Sequence, residues 1–407
     1  MRSLYFSLIG ASFFAISASA EMMDRAGGFR IGQRLTIRPH VSFTATYDSN
    51  VGSSAHEEDD VMWTVNPGLN FMYHADRWYL SGSGYYSFNG YTETHKSVRD
   101  YHNYGQTLTF GWDSSSKQER GWSLILNESF RLINESDDIA LSDGSTYGRD
   151  SQEFNFTGVL ERRITERLHA SVNGGYYWLD YDNSNSAVPI YGWSRWTGGA
   201  EIGYAASKWF DLLLAAPYQD YAQDNTRGYR GNKIDNGSTG TTLHIGFGSY
   251  ATERISYRLL AGWTRFEYAG GADTSDGMTY SISGKWQIGE TWNLMVLAAS
   301  YYQPSEREYA TAQRTDAISF GVAKSLVRGK LNATFDACYR REGHTYSEYA
   351  DRDYDLDILT FRGGLNYTLN NYMTIFTRGE YRDSMSDKSG FYDYERFRLS
   401  VGIRLTY

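Results

Sequence analysis

The chain has 407 residues, 41% of them apolar, with 41 glycines and 35 tyrosines but only five prolines. Its formal net charge of -9 argues against a general nucleic-acid-binding protein, and no nucleic-acid partner is expected. The single cysteine, Cys338, excludes an internal disulfide, and after residue 20 no run approaches the roughly 18 apolar residues of a transmembrane helix.

The first twenty residues, MRSLYFSLIGASFFAISASA, have the composition of a secretory signal peptide. Arg2 precedes an apolar stretch, and Ala18-Ser19-Ala20 supplies the small residues that signal peptidase requires. A membrane anchor helix is the alternative, but the stretch is short and rich in Ser and Ala. We therefore expect residues 1–20 to be cleaved and residues 21–32 to form a short periplasmic N-terminal segment.

The stretch QRLTIRPHVSFTATYD, residues 33–48, alternates apolar and polar side chains without a break. A β-strand places successive side chains on opposite faces, so this pattern predicts a strand with one apolar and one polar face. The same alternation returns over residues 61–73 and, after a short link, over residues 78–88.

The alternation continues to the C-terminus and predicts about eighteen strands. After the first three, they lie near residues 101–112, 121–133, 152–162, 168–181, 193–204, 210–219, 239–249, 255–267, 278–288, 292–302, 315–326, 330–341, 358–369, 373–382 and 395–407.

Short and long connections alternate between these strands. Links such as 74–76 and 289–291 are short, whereas 134–151 and 220–238 are long and polar. Outer-membrane barrels have short periplasmic turns and long extracellular loops. The pattern therefore predicts an all-β fold, a transmembrane antiparallel up-and-down β-barrel over residues 33–407, with both termini in the periplasm. A soluble β-sandwich is the alternative, but its strands are usually shorter.

Aromatic residues at strand ends favour the membrane interpretation. Five tryptophans lie beside predicted short turns, as in the aromatic girdle of a membrane protein: Trp78, Trp112, Trp122, Trp286 and Trp292. The chain ends in RFRLSVGIRLTY, an alternating strand that stops at Tyr407. This ending resembles the signal that barrel-assembly machinery recognises. That machinery, outer-membrane lipid and lipopolysaccharide are the expected partners.

A barrel of this size is too wide for side chains to fill, so function should depend on the polar, lumen-facing positions. Arginines concentrate there on the last four strands and on the first strand, which closure brings next to them: Arg34, Arg38, Arg340, Arg362, Arg378, Arg382, Arg396, Arg398 and Arg404. This pattern predicts a basic wall that favours anionic or dipolar solutes. Ion pairs with Asp336, Glu380 and loop acids, which would only stiffen the wall, are the alternative.

The opposite wall is expected to be mixed or acidic, with Glu153, Glu161, Glu201 and Asp211 near a few basic residues. Tyrosines on lumen positions are candidate saccharide contacts, because their rings offer an apolar face together with a hydroxyl group: Tyr79, Tyr85, Tyr91, Tyr101, Tyr177 and Tyr181. They could instead be tyrosines at the rims of the barrel. Cys338 is expected to be a small lumen-side residue.

No catalytic, cofactor-binding or metal site is predicted. No nucleophile-elbow or zinc motif occurs, and GFGSYA at residues 246–251 lacks the helix that a dinucleotide-binding loop requires. The acidic row DRDYDLD, residues 351–357, resembles a calcium loop but has Leu356 where the turn needs glycine. A solvated loop, or one bridged to lipopolysaccharide by divalent ions, is the favoured interpretation.

The stretch RPHVSFTATYDSNVG, followed by VNPGLNFMYHADRWYLSGSGYYSFNGY, resembles the start of the β-barrel porin 2 family of Gram-negative outer-membrane proteins. The likeness lies in the early proline, the Tyr-Asp-x-Asn-Val ending of the first strand and the Asn-Pro-Gly of the second. It implies an outer-membrane barrel, and some relatives occur with exopolysaccharide export systems, which would make periplasmic export components partners. The family supplies no catalytic residues.

Two functions are therefore predicted from the sequence. The first is a porin-like channel for hydrophilic solutes, with saccharides or an anionic exopolysaccharide as the expected solutes, whose anion selectivity falls when Arg378 and Arg398 are replaced by alanine. The second is a structural or adhesive barrel with a plugged lumen that acts through its extracellular loops, such as residues 134–151. Both predict an outer-membrane protein that is not an enzyme.

Overall fold

The computed structural model describes residues 28–50, 59–92, 101–114, 121–133, 150–181, 192–207, 209–223, 226–227, 233–234, 237–249, 254–268, 274–303, 312–345, 353–387 and 393–407. The predicted signal peptide, most of the N-terminal segment, Asp351 and much of each long connection lie outside these ranges. Among the described residues, no helix is long and apolar enough to cross a membrane.

Eighteen long antiparallel strands form the molecule, as the alternating pattern predicted. They are β2 (Leu35–Asp48), β3 (Asp60–His74), β4 (Trp78–Tyr91), β5 (Tyr101–Asp113), β6 (Trp122–Ile133), β7 (Ser151–Arg163), β8 (Leu168–Tyr181), β9 (Trp193–Ala205), β10 (Asp211–Gln223), β13 (Ser238–Ser249), β14 (Ile255–Tyr268), β15 (Ser275–Ile288), β16 (Trp292–Gln303), β17 (Ala312–Val327), β18 (Leu331–Thr345), β19 (Tyr354–Asn370), β20 (Met373–Ser386) and β21 (Tyr394–Thr406). Three short strands complete the set: β1 (Phe29–Ile31), β11 (Thr226–Arg227) and β12 (Lys233–Ile234).

The barrel closes where the last strand, β21, pairs with the first long strand, β2, from His40↔Thr406 to Asp48↔Arg398. Every other long strand pairs with its neighbours in the chain. The short strand β1 pairs with β2 from Phe29↔Ile37 to Ile31↔Leu35, below the point where β21 ends. The described part of the N-terminal segment therefore completes the sheet at the closure.

The strand register gives the size of the barrel. One circuit of paired residues returns to β2 displaced by about 22 positions, which corresponds to a strand tilt of roughly 40° and a backbone diameter of roughly 35 Å for a circular section. The interior is therefore wide enough to hold water.

Several strands extend further than the sequence pattern predicted, and every extension of three or more residues lies at the end that carries the long loops. The strand β18 continues to Thr345 instead of residue 341, and β19 begins at Tyr354 instead of residue 358. Beyond the bilayer neither face meets lipid, so the backbone ladder can continue after the apolar and polar alternation has stopped.

The outer surface is apolar. Phe43, Val172, Ile245 and Val401 are each at least 50% exposed on outward positions, whereas inward neighbours such as Ser42 and Thr46 are buried. Trp78, Trp122, Trp286 and Trp292 are exposed at the short-turn end, and Trp63, Trp196 and Trp263 lie on outward positions towards the other end.

Only a closed barrel satisfies the backbone of a β-structure in lipid. The ladder around this barrel, its outward apolar band and its two aromatic rims together fit a membrane span. The chain is a multi-pass β-barrel of the outer membrane.

Pro39 and Pro67 lie within strands β2 and β3, where a proline removes a hydrogen-bond donor from the ladder and a bulge is the usual expectation. The β2–β3 register is continuous from Leu35↔Tyr73 to Asp48↔Asp60, so no bulge occurs there. Instead, the β3–β4 ladder has no pairs between Val65 and Gly68, while its register is unchanged on either side. Pro67 lacks an N–H donor and lies in this gap, so the strand loses pairing locally without an inserted residue.

Candidate functional site: the lumen wall

Eight of the nine predicted arginines lie on inward positions of five adjacent strands, from β18 to β21 and on to β2. The exception is Arg34, which lies in the turn before β2, with Nη2 at 3.7 Å from the Asp76 carboxylate. Closure of β21 on β2 joins residues about 350 positions apart into one wall.

The wall contains two kinds of arginine, and the first kind is paired with acids. Arg396 Nε lies 2.9 Å and 3.1 Å from the two carboxylate oxygens of Asp48, and Arg398 Nε lies 2.8 Å from Asp48 Oδ2. Asp48 and Arg396 are both about 96–97% buried. The sequence interpretation missed Asp48, although it lies in the Tyr-Asp-x-Asn segment and on the inward parity of the first strand.

Arg362 and Arg340 are paired as well. Arg362 Nε donates to Glu380 at 2.6 Å and its Nη1 lies 3.9 Å from Asp336, the two acids that the alternative interpretation named. Arg340 Nε lies 2.9 Å from Glu342. Arg362 thus links β19 to β20 and β18, whereas the Arg340–Glu342 pair lies within β18. Each of these acids offsets positive charge of the basic wall.

Arg378 and Arg404 are different. Their guanidinium carbons lie 5.1 Å and 5.9 Å from the centre of the Phe376 ring, Arg378 on β20 and Arg404 on the adjacent β21. Both side chains are exposed to the lumen, and neither forms an ion pair with any residue that the structure describes. Two positive charges therefore face the water of the lumen without a neutralising acid.

Phe376 itself lies flat against the wall over Gly402. A Cβ atom at Gly402 would overlap the Phe376 ring, so glycine is what lets the ring lie there. An aromatic ring covering a glycine of the next strand is a known way to stabilise a sheet, and here it also sets the position of the two guanidinium groups.

The opposite wall is mixed, as expected. Arg131 pairs with Glu153 at 2.7 Å, and Arg258 forms a buried ion pair with Glu201 three strands away. These two ion pairs compensate Arg131 and Arg258, whereas Arg378 and Arg404 on the basic wall have no ion pair among the described residues.

The predicted saccharide contacts lie on inward positions. Tyr79 and Tyr85 lie flat over Gly111 and Gly105 of the neighbouring strand. Tyr91 and Tyr101 are 6.3 Å apart between ring centres.

The remaining two are on strand β8. Tyr177 packs on Trp193 at 4.6 Å, with the Arg195 guanidinium 5.6 Å from its ring. The side chain of Tyr181 lies outside the described part of the structure. The structure therefore groups these rings on two separate strand clusters, β4–β5 and β8–β9, and not in one binding surface.

The lumen is filled on one side at the long-loop end. Tyr221, Phe266 and Tyr302, from β10, β14 and β16, are 2%, 0% and 7% exposed and form one cluster. Gln219 Nε2 donates to the Tyr302 carbonyl at 3.0 Å, although four strand boundaries separate them along the sheet. The wall must bend sharply here, so the section is not circular. No sequence pattern indicated this cluster, because its members are isolated aromatic residues on separate strands.

The described part of the acidic row, residues 353–357, leads into strand β19 and does not form a loop around one point. Asp355 and Asp357 point outward, where Asp355 forms an ion pair with Arg341 and Asp357 accepts a hydrogen bond from Tyr339 Oη at 2.6 Å. Leu356, between them, is 1% exposed on the inner face. No group of metal ligands occurs among the described residues. Cys338 lies on the inner face and is half-buried.

No family model matches the sequence and no curated protein matches it, so the resemblance to the β-barrel porin 2 family is unconfirmed. Solved structures share the barrel architecture. The copper transporter OprC is 12% identical, with 88% of this chain and 62% of that chain covered at a TM-score of 0.42. The outer-membrane protein OpdK from Pseudomonas aeruginosa is 12% identical, with 91% and 99% covered at 0.45. The siderophore receptor PiuA from Acinetobacter baumannii is 9% identical, with 94% and 82% covered at 0.47.

Proposed function

We propose that the protein is a porin-like channel for hydrophilic solutes that favours anions. The observation that carries this proposal is the pair of lumen-exposed arginines, Arg378 and Arg404, which have no acidic partner among the described residues. Fixed positive charge on one side of a water-filled passage raises the local concentration of anions and lowers that of cations.

The sequence interpretation paired Arg378 with Arg398 as the residues that set selectivity. Arg398 is a poor choice, because its Nε donates to the buried Asp48 carboxylate. Arg404 replaces it in the proposal.

The test is the reversal potential of the purified barrel in planar bilayers under a potassium chloride gradient. We expect the wild-type channel to favour chloride, and the double variant Arg378→Gln plus Arg404→Gln to lose most of that preference. The matched control is Arg362→Gln plus Glu380→Gln, which removes an ion pair without changing net charge and should leave the selectivity unchanged. A barrel that conducts no ions, or a permeability ratio that the first variant does not alter, would contradict the proposal.

Saccharides, or an anionic exopolysaccharide, are the solutes we propose. Tyr79 and Tyr85 support this choice, because a ring lying flat over a glycine turns its other face towards the lumen. Sugar block of the conductance should weaken in Tyr79→Ala plus Tyr85→Ala. A sugar that blocks both proteins equally would argue against contact at these rings. Export of a polymer would further require periplasmic export components as partners.

The second candidate is a structural or adhesive barrel. The buried aromatic cluster of Tyr221, Phe266 and Tyr302 favours it, because these side chains fill part of the passage. The two functions differ in conductance, because a barrel with a plugged lumen conducts no ions. In the structural or adhesive barrel, removal of residues 134–151 would abolish binding to cells or matrix without changing permeability.

A further inference from the structure

The barrel has a split between two neighbouring strands at its long-loop end. Strands β15 and β16 are paired from Ile288↔Trp292 up to Ser281↔Ala299 and no further. Above that point β15 remains paired with β14 as far as Ser275, and β16 remains paired with β17 as far as Gln303. Four potential residue pairs are therefore missing, the longest such run between neighbouring strands in the part of the barrel that the structure describes. We call this opening the seam.

The Tyr302 side chain fills the seam. Tyr302 is paired in register with Arg314 of β17, and Arg314 lies on the same outward face as the exposed Ile318. The strand pairing therefore assigns Tyr302 to the outward face of β16. Nevertheless its ring stacks on the inward Phe266, with centres 6.4 Å apart. The ring therefore passes from the outer surface through the wall. A Cβ atom at Gly277 would lie 2.6 Å from the Tyr302 hydroxyl, so glycine at this position leaves the space that the ring uses.

Polar groups hold the plug at both ends. Inside the barrel, Gln219 Nε2 donates to the Tyr302 carbonyl at 3.0 Å. Outside, the Arg314 guanidinium lies 5.7 Å from the Tyr302 ring centre and pairs with Asp316 at 3.1 Å. The bond from Gln219 satisfies the Tyr302 carbonyl in place of a ladder hydrogen bond. Rotation of the Gln219 side chain can break this bond without breaking any strand pairing.

The surface just outside the seam is apolar and faces lipid. Trp263 and Met278 form a cross-strand pair on the outer face, 56% and 62% exposed, and Ile318 on the far side of the seam is 53% exposed. Behind the plug lies the buried Phe266 ring and, beyond it, the ring of Tyr221, whose hydroxyl accepts a hydrogen bond from Arg195 and donates one to Gln219. A continuous apolar path thus leads from the lipid-facing band, past Tyr302, to the aromatic cluster inside the barrel.

We infer that the seam is a lateral port in which Tyr302 acts as a movable plug, and that its occupant is an acyl chain of an outer-leaflet lipid. The chain would follow the apolar path to Phe266, while the polar head stays beside Arg314 and Asp316. The seam lies in the wall of the barrel and not in the axial passage, so the conductance of the barrel does not test the lateral port.

The experiment uses a probe that can reach the seam only from the bilayer. The full-length barrel is reconstituted into phosphatidylcholine vesicles containing a minor fraction of phosphatidylethanolamine with a diazirine in one acyl chain. After illumination, adducts are mapped by peptide mass spectrometry. We expect labels on the outward Met278 and Ile318 in every variant, and a severalfold increase of label on the inward Phe266 in Tyr302→Ala compared with wild type. Tyr302→Phe, which keeps the ring, should behave as wild type.

The matched control is Tyr367→Ala, which removes an outward tyrosine that is 41% exposed. Tyr367 lies on β19 at the short-turn end of the barrel, away from the seam. It should leave the label on Phe266 unchanged. The fold of each variant is checked by heat-modifiable migration in gels, and if Tyr302→Ala does not fold, Tyr302→Val serves in its place. If Met278 and Ile318 are labelled but Phe266 is not labelled in the folded variant lacking the ring, the lateral port does not exist.

Discussion

Asp48 is predicted to be the most important single acid for the stability of the barrel. It lies at the closure of β2 on β21, is 3% exposed, and accepts hydrogen bonds from two arginines. Arg396 contributes Nε at 2.9 Å and Nη2 at 2.5 Å, and Arg398 contributes Nε at 2.8 Å. Arg396 is itself 4% exposed, so removing the carboxylate would leave a buried guanidinium without its counter-charge.

The variant Asp48→Asn keeps the shape of the side chain and one acceptor oxygen but removes the charge. Breaking a buried ion pair costs about 3–5 kcal/mol, and the retained acceptor places the expected loss near the lower limit, about 3 kcal/mol. The double variant Asp48→Asn plus Arg396→Gln should recover part of this loss, because no buried charge is then left without a partner.

The assay is urea unfolding of the barrel refolded into lipid vesicles, followed by tryptophan fluorescence. The control is Asp76→Asn, which removes an exposed carboxylate 3.7 Å from Arg34 and should leave the midpoint unchanged. Equal midpoints for Asp48→Asn and Asp76→Asn would refute the reasoning. So would a double variant whose loss of stability, relative to wild type, equals the sum of the losses in Asp48→Asn and Arg396→Gln.

Two further predictions concern the sheet itself. In Gly262→Ala the new Cβ would overlap the Leu243 carbonyl on the neighbouring strand, so we expect a loss of about 1–3 kcal/mol in the same unfolding assay; Gly284→Ala, where a Cβ meets nothing within 4 Å, should be neutral. Ile245→Arg places a charge on the outward band, where Ile245 is 65% exposed, and should cost about 2–4 kcal/mol if the residue is near the bilayer midplane. The inward Ser83→Arg, facing the water of the lumen, should cost little; equal losses for these two arginine variants would mean that the apolar face does not meet lipid.

The sequence by itself determined the strands and their faces. Because side chains alternate along a strand, the apolar residues of QRLTIRPHVSFTATYD assign one face to lipid and the other to the lumen without any knowledge of partners. The alternation of short and long connections then predicts the order and orientation of the strands. Both inferences use information that is local in the chain, and the barrel confirms them.

Only the tertiary structure decided which lumen residues meet. Asp48 and Arg396 are separated by 348 positions and come together because the barrel closes at a particular register. Among the described residues, that register leaves Arg378 and Arg404 without an ion pair, whereas Arg362 pairs with Glu380 and Arg396 and Arg398 share Asp48. The seam and its Tyr302 plug are likewise invisible in the sequence, because parity places Tyr302 outside and only the missing β15–β16 pairs allow its ring to turn inward. Periodicity records the face of each residue, whereas pairing across the sheet and departures from it depend on the folded geometry.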